Sequence, residues 1–249
     1  MDILVCVKRV PATDSTIKVG SDGKSIDPSG VEFVPNPYDE FAVEEGIKTK
    51  EAHGGEVTLL SIGPAEAKKD LQKCLAMGAD KAVLLTATEG STDAKGVAEA
   101  LAAKAKELNP QVIFVGKQSV DNDDAQTGPR MAALLGWACA SDVTKLEIEG
   151  DTFKGERDIE GGKEAFEGKL PVVITCNKGL NEPRFANLKG IMQAKKKPFE
   201  SSAAELAPPA AQLIELSPPP ARPEPTILGE GAEAVAALID KLQNEAKVL

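Results

Sequence analysis

The residues with most chemical promise run from Gly116 to Gly128, as Gly116-Lys117-Gln118-Ser119-Val120-Asp121-Asn122-Asp123-Asp124-Ala125-Gln126-Thr127-Gly128. They follow an apolar run and open a helical pattern. The first backbone N–H groups of a helix lack intrahelical acceptors, so those near Gln126, Thr127 and Gly128 suit a phosphate. Gly128 would let a ligand approach the backbone closely, and the Thr127 hydroxyl would add a donor. The same residues equally describe an Asp-rich, solvated loop with Thr127 as an ordinary N-cap. Asn36-Pro37-Tyr38-Asp39-Glu40 also admits two readings. It is a turn whose Asp39 caps the next helix, or a stretch whose Asn36 offers amide or backbone contacts to a base.

Other chemistries lack footing. There is no GxxxxGK[ST] and no GxGxxG, so nucleotide hydrolysis and the dinucleotide fingerprint are unsupported. Asp121, Asp123 and Asp124 lack the Gly and Glu spacing of a calcium loop, so no metal is expected. His53, the one histidine, sits at a helix end beside Gly54-Gly55 as a surface or capping group, which leaves no Ser-His-Asp or Cys-His set. Cys6, Cys74, Cys139 and Cys176 are widely spaced without a CxxC pair, as expected of reduced, mostly buried thiols. With 29 Lys+Arg against 39 Asp+Glu the net charge is −10, and aromatics make up only 4%. Neither a phosphate polymer nor an anionic membrane is favoured, and no stacking surface for bases is available. This is the inventory of a binder, with no acid, base or nucleophile of its own.

The elements that must position these residues alternate. Ile3–Val7 reads as a strand buried on both faces. Asp39–Lys50 reads as a helix with Phe41, Val43 and Ile47 inward and Glu44, Glu45, Lys48 and Lys50 outward. Val57–Ile62, Ala82–Leu85 and Val112–Val115 are further strands. Helices follow through Leu71, Leu75 and Met77, over Thr92–Leu108, and around Met131, Leu134 and Leu135. Four β-then-α units predict an α/β fold, a mostly parallel, doubly wound sheet with helices on both faces and ligands beyond the carboxyl ends of its strands. Val143–Glu149, Phe153–Ile159 and Glu164–Phe166 look like added β-hairpins, and Leu170–Cys176 is again a buried strand.

At ~150 residues per domain, 249 residues make one large domain or two small ones. The predicted division is an α/β domain over 1–207, a Pro-rich linker over 208–228 and a helical arm over 229–249 whose Val235, Leu238, Ile239 and Leu242 form an apolar stripe. Within the first part, 181–197 is a basic segment in an acidic protein. It reads as a solvated loop, or as a docking loop with Leu188 as apolar anchor and Lys195, Lys196 and Lys197 steering acidic partners. No apolar run approaches ~18 residues, and the start is too short for a signal segment, so an intracellular, soluble chain without membrane insertion is expected.

Val7-Lys8-Arg9-Val10, Asn36 to Glu40 with Ala42-Val43-Glu44, Gly116-Lys117-Gln118 through Gln126-Thr127-Gly128, Arg157 to Pro171, and Asn181-Glu182-Pro183-Arg184-Phe185-Ala186 through Ile191-Met192-Gln193-Ala194-Lys195-Lys196-Lys197 occur in order. Over nearly its whole length the chain resembles the β (small) subunit of electron transfer flavoprotein. The resemblance implies an adenine-nucleotide-binding fold and an obligate heterodimer with an α subunit that holds most of one FAD. It implies AMP within the β subunit, and an arm packed on the α subunit. It implies a carrier of electrons from acyl-CoA and related dehydrogenases to a quinone oxidoreductase. By the same resemblance Cys6, Asn36, Glu40 and Asp121, Asn122, Asp123, Asp124, Ala125, Gln126, Thr127 and Gly128 contact AMP, and Tyr38 approaches the flavin. Leu188, with Ile191, Met192, Lys195 and Lys196, docks dehydrogenases, and Asp158 pairs with an arginine of a mobile flavin domain.

The chain departs from the family in three places. Pro11-Ala12-Thr13 precedes Asp14, Lys189-Gly190 follows Leu188 in place of a Pro-containing turn, and Asp158 stands where some relatives have Glu. Electron-bifurcating relatives hold a second FAD in place of AMP, and Thr127 for Val and Asn122 for Gly favour AMP here. A rival of another class is a free-standing nucleotide-binding regulator, against which the linker and apolar arm count. A bacterial cytoplasm is the expected compartment, or a mitochondrial matrix for a eukaryotic chain.

Overall fold

The computed structural model describes residues 1–88 and 90–249. Its centre is a nine-stranded sheet in the order β11-β5-β4-β1-β6-β10-β7-β8-β9. The strands are β1 (Asp2–Cys6), β4 (Glu56–Gly63), β5 (Lys81–Thr86), β6 (Val112–Gly116), β7 (Ala138–Glu149), β8 (Thr152–Ile159), β9 (Gly162–Lys169), β10 (Val172–Cys176) and β11 (Phe199–Ala203). All neighbours from β11 to β7 run parallel, and β7-β8-β9 continue as antiparallel hairpins. The expected α/β architecture is thus observed. A separate two-stranded ribbon pairs β2 (Arg9–Pro11) with β3 (Phe33–Pro35).

Alternation along the central strands explains the layers. Ile3, Val5 and Val7 face a cluster with Ala42, Val43 and Ile47 of α1 (Pro37–His53) and Leu71, Cys74 and Leu75 of α2 (Lys68–Met77). Leu4 and Cys6 face the other side, among Ala98, Leu101 and Ala105 of α3 (Ala94–Leu108) and Met131 and Ala132 of α4 (Thr127–Leu135). With helices on both faces the central strands need no polar side, so β6 and β10 are buried throughout.

Three expectations need correction. Glu44 and Glu45 do not face outward but are buried, because partners far along the chain meet their carboxylates. The polar run Phe199-Glu200-Ser201-Ser202-Ala203 is an edge strand, an element its composition concealed. Within 181–197, Leu188–Ala194 forms a short helix, α5, that packs on α2.

The chain divides into two compact units, 1–216 and 217–249. In the first, the Asp93 carboxylate caps α3 by accepting from the N–H groups of Lys95 and Gly96, and also accepts from Ala210 and Ala211. The second holds a one-turn helix at Ala232–Ala234, α6 (Val235–Asp240) and a π-turn at Lys241–Glu245, and Val235, Leu238 and Ile239 are exposed on it.

Candidate functional site

The carboxyl ends of β1 and β6 are tied to the start of α1 by two buried side chains, Asn36 and Asp39, only 1% and 4% exposed. Asp39 caps no helix. It accepts from the backbone N–H of Lys8, just past β1, at 2.7 Å and from that of Gly116, at the end of β6, at 2.9 Å. Gly116 must lack a side chain, because a Cβ there would stand 2.8 Å from the Tyr38 backbone. Asn36 braces the following loop from both ends of its amide, donating to the Gln118 carbonyl at 2.8 Å and accepting from the Val120 N–H at 3.1 Å.

Lys8, just past β1, reaches into the same loop. Its Nζ donates to Ser119 Oγ at 3.2 Å and lies 2.7 Å from Asp121 Oδ2. Gln118 Nε2 donates to Asp123 at 2.7 Å. Lys8 therefore offsets part of the loop's negative charge, which matters for a region expected to meet phosphate. Asp123 and Ala125 both take positive φ, 54° and 52°, an uncommon conformation for residues other than glycine.

The loop delivers the chain to α4. Its N-cap position is Gln126 and no side chain caps it; Thr127 is the first helical residue, not the cap. The opening N–H groups at Thr127 and Gly128 thus have no side-chain cap. Gly128 is buried, and its bareness serves packing: a Cβ would stand 2.7 Å from Thr175 Cγ2 of β10. The glycine lets the first turn of α4 seat against the sheet, with its N–H groups held at the sheet's carboxyl edge.

Burial pushes Asp39 up to about 7, against the pull of its hydrogen bonds to Lys8, Asn36 and Gly116. Burial, with the Asp39 charge adding, drives the buried Cys6 thiol far above its usual range. Asp121 moves the other way: burial is outweighed by Lys8 and Ser119, which hold its carboxyl low. Glu40, on α1, is raised by burial and pulled back by Lys73 of α2. Tyr38 is half-buried with the Lys117 ammonium 5.2 Å from its ring centroid.

The segment 181–197 is built differently. Asn181 donates to the Phe41 carbonyl and to Glu45 at 2.8 Å, and Arg184 forks between Glu44 at 2.9 Å and Glu51 at 2.6 Å. Asn187 caps α5 by accepting from the Gly190 N–H. Lys197 does not face solvent as a steering charge; its Nζ donates to the Leu75 and Ala79 carbonyls at the end of α2. Phe185, Leu188 and Met192 are 98%, 82% and 72% exposed, with Ile191, Lys195 and Lys196 exposed beside them. Asp158 is exposed on β8, 3.8 Å from Lys163 across the hairpin.

The geometry gathers Cys6, Asn36, Tyr38 and 116–128 at one sheet edge, and Leu188, Ile191, Met192, Lys195 and Lys196 on one short helix and its end. Asp158 belongs to neither set. Residue types alone left Lys8, Asp39 as a tie between strands, and Arg184 without roles. The first two flank the strand ends, a positional signal; Arg184 gave none, since its partners lie 133 and 140 positions away.

The electron transfer flavoprotein domain family matches residues 24–207. The chain is 42% identical over 253 residues to electron transfer flavoprotein subunit beta of Bradyrhizobium diazoefficiens, with 100% of each covered. It is 39% identical over 259 residues to that of Bacillus subtilis, again over 100% of both. It is 35% identical to that of Mus musculus over 98% of each. The chain belongs to the electron transfer flavoprotein family, as a β subunit. Its class is electron transfer. Among the described residues no helix is long and apolar enough to cross a membrane, and no cluster of three or more His, Cys, Asp or Glu could hold a metal.

Proposed function

We propose that this chain pairs with an electron transfer flavoprotein α subunit, holds AMP at the carboxyl edge of its sheet, and helps frame an FAD carried mainly by the α subunit. Acyl-CoA and related dehydrogenases dock on 181–197, and the electrons pass on to a quinone oxidoreductase. FAD supplies the redox chemistry when bound, and this chain supplies position and partner choice. The observation that carries the reading is the cradle itself: uncapped N–H groups at Thr127 and Gly128, seated by Gly128 against Thr175 and supported by a loop that Asn36 and Lys8 hold. The residues fit a nucleotide phosphate because Lys8 offsets the charge of Asp121 and Gln118 hydrogen-bonds Asp123. Cys6, Asn36, Glu40 and Asp121 to Gly128 would contact AMP, with Gln126, Thr127 and Gly128 at its phosphate and Tyr38 toward the flavin. The apolar arm supplies a surface for the α subunit.

The test is cofactor content. The chain co-expressed with its α partner, purified and denatured, should release one FAD and one AMP per heterodimer. Two FAD and no AMP would replace this reading with an electron-bifurcating one. A stable, colourless monomer carrying nucleotide would replace it with a free-standing regulator.

A further inference from the structure

The docking reading above names apolar tips but not what aims them. Between the end of β10 and α5 the chain has no regular structure, yet Phe185 and Leu188 must be presented in one geometry to be useful as anchors. Asn181 ties the start of this stretch to Phe41 and Glu45, and Arg184 ties the residue just before Phe185. Arg184 meets Glu44 with Nε and Nη2, at 2.9 and 3.0 Å, and Glu51 with Nη1 and Nη2, at 2.6 and 3.0 Å. Its backbone N–H also donates to Glu44, at 3.1 Å. Glu44 therefore binds both the guanidinium and the main chain at the same residue, which fixes orientation as well as position. A planar fork meets two carboxylates about two turns apart on the same face of α1 in a way that a lysine, with one point charge, does not. Burial of Glu44 demands this partner, since an unpaired buried carboxylate is strongly unfavourable. The residue directly after the fork, Phe185, is 98% exposed, and Leu188 is 82% exposed.

We propose that Arg184, gripped by Glu44 and Glu51 of α1, is the positioning residue of the docking segment: it pre-orders Phe185 and Leu188 so that dehydrogenase docking pays no ordering cost there. This rests on 181–197 being the docking surface. Arg184 touches neither flavin nor dehydrogenase in this scheme, so its loss acts on association. Pre-ordering of a binding segment is felt as affinity, with the electron-transfer step itself unaltered.

The experiment uses the holo heterodimer and an acyl-CoA dehydrogenase supplied with its acyl-CoA. Arg184→Met should raise the KM for the flavoprotein roughly tenfold with kcat little changed. Arg184→Lys should restore part of the loss, and Glu51→Gln, which removes only the exposed half of the fork, should raise KM about twofold. FAD content and reduction by dithionite should match wild type in all three. Leu188→Ala is measured alongside. A raised KM for Leu188→Ala with no change for Arg184→Met overturns the positioning role while leaving the docking surface intact. No change for either overturns the docking surface. Arg184→Met strands Glu44, so Arg184→Met with Glu44→Gln is the companion variant should the single one fail to assemble; a wild-type KM in the double variant overturns the proposal equally.

Discussion

The two ends of α1 hold their neighbours by different means. At its N-terminus Asn36 and Asp39 bind backbone groups of Lys8, Gly116, Gln118 and Val120. Further along, Glu44, Glu45 and Glu51 bind side chains of Arg184 and Asn181. The first arrangement fixes main chain, which suits a site whose ligand is to be met by N–H groups. The second holds two residues, Asn181 and Arg184, chiefly by their side chains, and leaves Phe185 and Leu188 after them exposed. A single helix thus serves a buried polar cradle and an exposed apolar tip, and the kind of group it grips decides which.

The largest expected effect bears on the cradle. Asp39 is buried and raised to about 7 from an ordinary 3.8, so its folded pKa exceeds its unfolded one. The folded state then binds more protons than the unfolded between those values. The contribution of Asp39 is fully present below the unfolded pKa and is lost as pH rises through about 7. The stability advantage of wild type over Asp39→Asn should shrink, by on the order of 4 kcal/mol, between pH 4 and pH 8. Urea titrations of both proteins across that range measure the gap. A constant gap would show that the tie between β1, β6 and α1 does not depend on the charge of Asp39, and would break the contrast at its polar end.

Second in size is the seat of α4. Gly128→Val forces a side chain into Thr175, and overpacking of this kind costs about 1–3 kcal/mol. The N–H groups at Thr127 and Gly128 should move out of register, so the variant should be purified with AMP depleted while dehydrogenase docking is kept. Full AMP content would remove the helix start from the nucleotide site.

Much of this was legible beforehand, for physical reasons that also mark the limits. Ile3–Val7 and Val112–Val115 are uninterrupted apolar runs because the sheet is covered on both faces, and a Gly-bearing junction between strand and helix is an interpretable place for phosphate. The inward Glu44 and Glu45 were not legible, since helical periodicity sends charges to solvent unless a distant partner is known. Phe199–Ala203 hid because an edge strand with exposed residues needs no alternation, and α5 hid because seven residues are too few to show a period. Thr127 reads equally as a cap or as a helix-opening donor because its side chain is of the type that caps, and the structure makes it the first helical residue.

The smallest effects sharpen the docking end, where three consecutive lysines look alike in sequence and differ in structure. Lys197 is drawn inward to the Leu75 and Ala79 carbonyls, at 2.8 and 2.5 Å, where a cation both satisfies exposed acceptors and meets the negative end of α2. Burial lowers its pKa accordingly. Lys195 and Lys196 remain exposed. Lys197→Met should therefore cost about 1 kcal/mol of stability at any salt concentration, as the loss of a partly buried charge-assisted hydrogen bond. Lys196→Glu should leave stability within about 0.5 kcal/mol and act only on encounter, slowing association with an acyl-CoA dehydrogenase roughly twofold to threefold at low ionic strength. That slowing should vanish in ~0.5 M salt, where the screening length is only a few ångströms. Stopped-flow association at two ionic strengths separates the roles. A salt-independent defect in Lys196→Glu would mean that this lysine makes a fixed contact, and the docking end would then share the rigid character of the cradle.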